Sequence, residues 1–116
     1  MKTARIYEDF GNLSRAAYYY YLAGQFGKSA RLYEKVENYD KAGDAYFREG
    51  NLWMAVKMFN LAGRKDARLA EIYEKLEEFK SAADIWKSMG RTRRAKKCLT
   101  KVRQLSLFDP SDKNTG

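Results

Sequence analysis

The chain has no histidine, a single cysteine, a single proline and no apolar run of membrane-spanning length. The missing imidazole removes the commonest general base, the usual Ser/His and Cys/His nucleophile pairs, and most zinc sites. Cys98 by itself forms no internal disulfide, which fits a reducing cytosol. The start Met1-Lys2-Thr3-Ala4-Arg5 leads into Tyr7-Glu8-Asp9 rather than an apolar segment, so neither a signal peptide nor a membrane partner is expected. These absences predict a soluble cytoplasmic protein that is not itself an enzyme and needs no cofactor and no metal; an accessory region of a larger enzyme such as a helicase is the alternative.

What is present is regularity. A hydrophobic fraction of 45% in 116 residues suffices for one folded core, and a chain rich in Ala, Leu, Lys, Glu and Tyr favours helix. A short phrase recurs, clearest in Gly50-Asn51-Leu52-Trp53-Met54-Ala55: a turn residue, a capping residue, an apolar residue, then alanine. Copies start at Gly11, Gly24, Glu37, Gly63, Glu77 and Gly90, so that successive starts lie 13, 13, 13, 13, 14 and 13 residues apart. Self-similarity at a fixed period marks a repeat architecture. Apolar residues three and four apart between the phrases, such as Ala42, Ala45 and Tyr46, share one helical face. Helices are predicted near 2–9, 13–23, 27–36, 39–49, 52–62, 66–76, 79–89 and 91–102, with Asn12, Asn38 and Asn51 as caps. Tyr33, Tyr46, Tyr73 and Trp86 are expected between the layers. The predicted fold is all-α, an α-solenoid of about eight short helices in antiparallel hairpins, with a repeat domain over 1–102 and a flexible tail over 103–116.

The stretch from Ala30 to Ala42 resembles the helical hairpins of tetratricopeptide-like solenoids. Two units span roughly 26 residues, short of the roughly 34 of the usual tetratricopeptide repeat. The nearer likeness is to the short Ala/Tyr repeats of vesicle-coat and transport proteins and of regions appended to large helicases. This resemblance covers residues 4 to 102 and implies a protein-binding role without naming the partner. An ordinary helical bundle with chance periodicity is the alternative.

Few residues invite chemistry. Gly24-Gln25-Phe26-Gly27-Lys28-Ser29 ends like a phosphate-binding loop, but the glycine that motif needs is Leu22 here, and Gly24 is already a repeat turn. Cys98 sits among Lys96, Lys97 and Lys101, which would lower its pKa, yet its spacing fits a small core residue. Glu37–Lys41 and Glu71–Lys75 have the spacing of helix-surface ion pairs. Tyr18, Tyr19, Tyr20 and Tyr21 cannot share one helical face, so they either pack on two faces within a curved array or leave part of themselves as a candidate aromatic patch for peptide or base stacking. The net charge of +8 is concentrated at one end. Between Gly90 and Phe108 stand Arg91, Arg93, Arg94, Lys96, Lys97, Lys101 and Arg103 with no acid, against 16 basic and 15 acidic residues elsewhere. That segment is a candidate DNA or phosphate contact; the alternative is the solvated outer face of a terminal helix.

The segment after Val102 leaves the repeat. Gln104-Leu105-Ser106-Leu107-Phe108 resembles, at all five positions, the pentapeptide by which bacterial DNA polymerases and repair proteins bind the sliding clamp. The resemblance implies that Gln104 anchors at the pocket edge, Leu105 and Ser106 run along the clamp, and Leu107 and Phe108 enter its apolar cleft. It also implies a nucleoid-associated adaptor in DNA replication or repair, with the bacterial DNA polymerase sliding clamp as one partner and a second protein on the solenoid. The alternative is that Leu105, Leu107 and Phe108 fold back as a hydrophobic cap.

Overall fold

The computed structural model describes residues 2–108, without the side chains of Ser106 and Phe108. Eight helices occur among them: α1 (Lys2–Asp9), α2 (Leu13–Leu22), α3 (Phe26–Lys35), α4 (Tyr39–Glu49), α5 (Leu52–Leu61), α6 (Ala67–Lys75), α7 (Phe79–Ser88) and α8 (Thr92–Phe108). No described residue is in a strand, and no helix is long and apolar enough to cross a membrane. The helices fall into two compact units, α1–α5 ending at Arg64 and α6–α8 beginning at Lys65. Within each unit every helix packs on the one before it through a turn of a few residues, the hairpin stacking of an α-solenoid.

The period is visible in the hydrogen bonds. The carbonyls of Tyr7, Tyr20, Tyr33, Tyr46, Phe59, Tyr73 and Trp86 each accept an N–H from the residue five further on, at 2.8–2.9 Å. This bond closes the last turn of a helix whose next residue is left-handed. The left-handed residue is glycine at 11, 24, 50, 63 and 90, and glutamate at 37 and 77, both with φ near 60°. Side-chain oxygens of Asn12, Asn38, Asn51 and Asp66 then accept the N–H three residues on, capping the next helix.

The same phase sets the core. Ala16, Ser29, Ala42, Ala55, Leu69, Ala82 and Ala95 are all buried, and mostly small, so the helices approach closely. Ser29 tolerates this site because its hydroxyl donates to the Ala17 carbonyl at 2.8 Å. Tyr20, Tyr33, Tyr46, Phe59 and Trp86 fill the space between helices; Tyr73 is only half-buried. The approach is tightest where α4 meets α5. A Cβ on Gly43 would lie 2.6 Å from the Phe59 ring, which is itself fully buried and has nowhere to move. Gly43→Ala is therefore expected to destabilise by about 1–3 kcal/mol despite alanine's better helix propensity, a loss that urea unfolding measures.

Two tyrosine hydroxyls donate to a glutamate twelve residues earlier, Tyr20 to Glu8 and Tyr46 to Glu34, each at 2.8 Å. Burial, then the bond to Glu34, pushes the Tyr46 pKa up to about 12 from 10.0. In the unfolded chain Tyr46 ionises near pH 10 while the folded form keeps its proton. The stability it contributes is thus complete below pH 10 and is lost as pH rises towards 12. Urea unfolding across this window is expected to show Tyr46→Phe losing about 2 kcal/mol less than the parent chain.

Helix α8 departs from the sequence expectation. It runs to Phe108 instead of ending near residue 102. The turn phase that carries glycine or glutamate after the earlier helices falls on Arg103, which has no reason to turn left-handed, and the sequence has no proline before position 110. Arg103 to Phe108 are therefore helical; residues 109–116 lie outside the described residues.

Candidate functional site

Six of the seven predicted basic residues lie on α8 of the second unit and Arg91 immediately precedes it; helical spacing distributes the six. Arg94, Lys97, Cys98 and Lys101 are three, four and seven residues apart and share one face. With Arg91 and Arg93 they line a groove of about 500 Å³ whose one acidic lining residue is Glu74 of α6. Arg94 is anchored: its guanidinium lies 4.1 Å from the centre of the Trp86 ring, and its nitrogens meet Glu74 at 3.1 Å and Glu71 at 3.9 Å. Arg91, Arg93, Lys97 and Lys101 add four positive charges round the same opening. Lys96 and Arg103 are exposed and do not line it, so five of the seven basic candidates come together.

Cys98 is on the groove's inner wall, fully buried, and its thiol donates to Glu74 at 3.4 Å. Burial, followed by that bond and the Glu74 charge, raises its pKa above the ordinary thiol value, outweighing Arg94 and Lys101. It is a core residue rather than an activated nucleophile.

The far side of α8 is open. Positions that are buried in every earlier helix, Ala4, Ala17, Ala30, Gly43, Val56, Ala70 and Ala83, continue as Lys96; the aromatic phase continues as Leu99, which is 49% exposed. Further along, Gln104, Leu105 and Leu107 are also exposed, Leu107 at 68%. Ser106 and Phe108, the other two members of the clamp-like pentapeptide, have side chains outside the described residues.

The four tyrosines of α2 do not form one patch. Tyr20 is buried with its hydroxyl on Glu8, and Tyr19 stacks flat on Tyr7 with ring centres 5.4 Å apart. Tyr21 packs edge-on against Phe26 and donates to Asp44 at 2.6 Å. Tyr18 is half-exposed and, with Tyr21, opens onto a groove lined also by Leu22, Tyr33, Lys41 and Asp44. The sequence reading missed this groove, because its walls come from three helices. Its signal was the repeat itself, which brings residues of alternate helices side by side. Glu37 does not pair with Lys41 as its spacing suggested: it is the left-handed turn residue, and the Lys41 ammonium lies over the Tyr33 ring, 5.7 Å from its centre.

A short-period helical repeat with grooves between alternate helices, one of them strongly cationic, is an interaction scaffold in build. More particularly, the chain belongs to the soluble NSF attachment protein (SNAP) family, whose profile matches residues 1–112. No curated protein and no solved structure matches the chain.

Proposed function

We infer that the chain is a non-catalytic adaptor that holds an acidic protein surface in the α8 groove. The observation that carries this reading is the gathering of Arg91, Arg93, Arg94, Lys97 and Lys101 round one opening, where Glu71 and Glu74 both engage Arg94 and leave the other four cations in excess. Cations held on a rigid helix steer an anionic partner and fix its register. The family's own name describes an attachment protein for NSF, a role of the same kind. DNA phosphates offer the same charge and are the competing ligand.

Exposed Leu105 and Leu107 favour a second, narrower reading, docking of Gln104-Leu105-Ser106-Leu107-Phe108 on a bacterial sliding clamp. In a helix, residues two apart point to different sides, so an extended fit in the clamp cleft requires the end of α8 to unwind.

Calorimetric titration with a glutamate-rich peptide, a short DNA duplex and a bacterial sliding clamp separates these readings. The adaptor reading expects the peptide to bind, and Arg91→Gln/Lys97→Gln/Lys101→Gln to weaken it about tenfold or more. Tighter binding to the duplex, steeply salt-dependent and lost in the same variant, would replace it with nucleic-acid binding. Clamp binding that vanishes in Leu105→Ala/Leu107→Ala would establish the second reading; equal heats from parent and variant would remove it.

A further inference from the structure

Each unit carries a groove at the same phase of the repeat, and the two are furnished differently. In the second unit Arg94 lies over Trp86 and is held by Glu71 and Glu74. Four repeats earlier, 53 residues back, the corresponding residues are Lys41 for Arg94, Tyr33 for Trp86, Tyr18 for Glu71 and Tyr21 for Glu74. The cation keeps its place: Lys41 Nζ stands over the Tyr33 ring as the Arg94 guanidinium stands over Trp86. Its two carboxylates have become tyrosines.

The consequence is a charged group without its counter-ion at the mouth of an apolar slot. Lys41 pairs with no carboxylate among the described residues. Asp44 accepts the Tyr21 hydroxyl instead, and Glu37 is the left-handed residue of the turn before α4. Beside Lys41, Tyr18 and Leu22 expose 48% and 59% of their surfaces, where the second unit has Glu71 and Lys75. The slot measures about 230 Å³, below the size of most small-molecule sites and suited to one or two side chains.

We propose that the groove between α2 and α4 receives a peptide segment of a protein partner, an aliphatic side chain lying against Tyr18, Leu22 and Tyr33 with an adjacent aspartate or glutamate on Lys41. The partner's carboxylate completes from outside the ion pair that Glu71 and Glu74 complete within the second unit. Apolar burial supplies the attraction, and the Lys41 contact selects acidic over neutral sequences. This site is separate from the α8 groove and does not rest on it.

The test is a nuclear magnetic resonance titration of the full chain with acetyl-Leu-Glu-Leu-Glu-amide and with its glutamine counterpart, acetyl-Leu-Gln-Leu-Gln-amide. The acidic peptide is expected to shift signals of Tyr18, Leu22, Tyr33 and Lys41 and to bind about fivefold more tightly than the neutral one. Lys41→Gln should erase that difference. Tyr18→Glu, which installs the internal carboxylate of the sister groove, should weaken the acidic peptide likewise. Arg91→Gln/Lys97→Gln should leave these shifts unchanged, which separates this site from the α8 groove. All three variants alter exposed side chains, and circular dichroism verifies their folding. Equal affinity for the two peptides, shifts confined to α8, an unchanged titration in folded Lys41→Gln, or no shifts up to the solubility limit would each overturn the proposal.

Discussion

Phe59→Ala is expected to lower the unfolding free energy by about 3–5 kcal/mol, read by urea denaturation. The ring is fully buried, lies against Gly43 on α4, and carries the Arg64 guanidinium 4.7 Å from its centre. Its removal leaves a hole between two helices whose spacing is set by the ring itself, so collapse into the space would require the backbones to move. Arg64, which also bonds Asp40 at 2.9 Å, would lose its platform. Hydrogen exchange should quicken first in α4 and α5. Phe59→Leu, which keeps most of the volume, is expected to cost about 1 kcal/mol. A loss under 1 kcal/mol for alanine would mean that α4 and α5 are not held together through this residue.

Trp86 provides the second large effect and a finer discrimination. It is fully buried in α7, and its Nε1–H has no hydrogen-bond partner among the described residues. Trp86→Ala is expected to cost about 3–5 kcal/mol through the cavity. Trp86→Phe should cost much less, about 1 kcal/mol, because no hydrogen bond is broken and the buried N–H is relieved. What remains is lost contact area and the weaker attraction of a phenyl ring for the Arg94 guanidinium. Because Trp86 supports Arg94, alanine at 86 should also loosen the wall of the α8 groove and weaken acidic-peptide binding, whereas phenylalanine should preserve it. Equal destabilisation by both substitutions would show that the indole N–H is bonded in solution.

Much of the fold was legible because it is written in local chemistry. Turn glycines, asparagine caps and alanines at a 13-residue spacing act within a few residues of themselves, and α1 and α4 coincide with their expected ranges. Even Glu37 and Glu77, which break the glycine rule, adopt the same left-handed turn, since the period and not the residue sets the backbone there. The aromatic phase was only half read. Tyr33, Tyr46, Tyr73 and Trp86 stood out, while Tyr7, Tyr20 and Phe59 share the same position, two of them hidden in the tyrosine run and the Met58-Phe59 pair.

The grooves were harder to see. Charge density marked Arg91 to Lys101, but nothing local shows that Glu74 reaches both Arg94 and Cys98 from twenty and twenty-four residues away. Cys98 was read correctly as core, and its raised pKa follows from that burial. At the end of α8, loss of the repeat is not loss of helix. The phrase that disappears at Arg103 is a helix stop, so its absence lengthens α8.

The most direct test of the adaptor account is hydrogen–deuterium exchange of the chain saturated with the glutamate-rich peptide. Slowed exchange should centre on Arg91 and α8 as far as Lys101 and on the facing turns of α6 that carry Glu71 and Glu74. Protection lying wholly outside those segments, with α8 exchanging as fast as in the free chain, would contradict it.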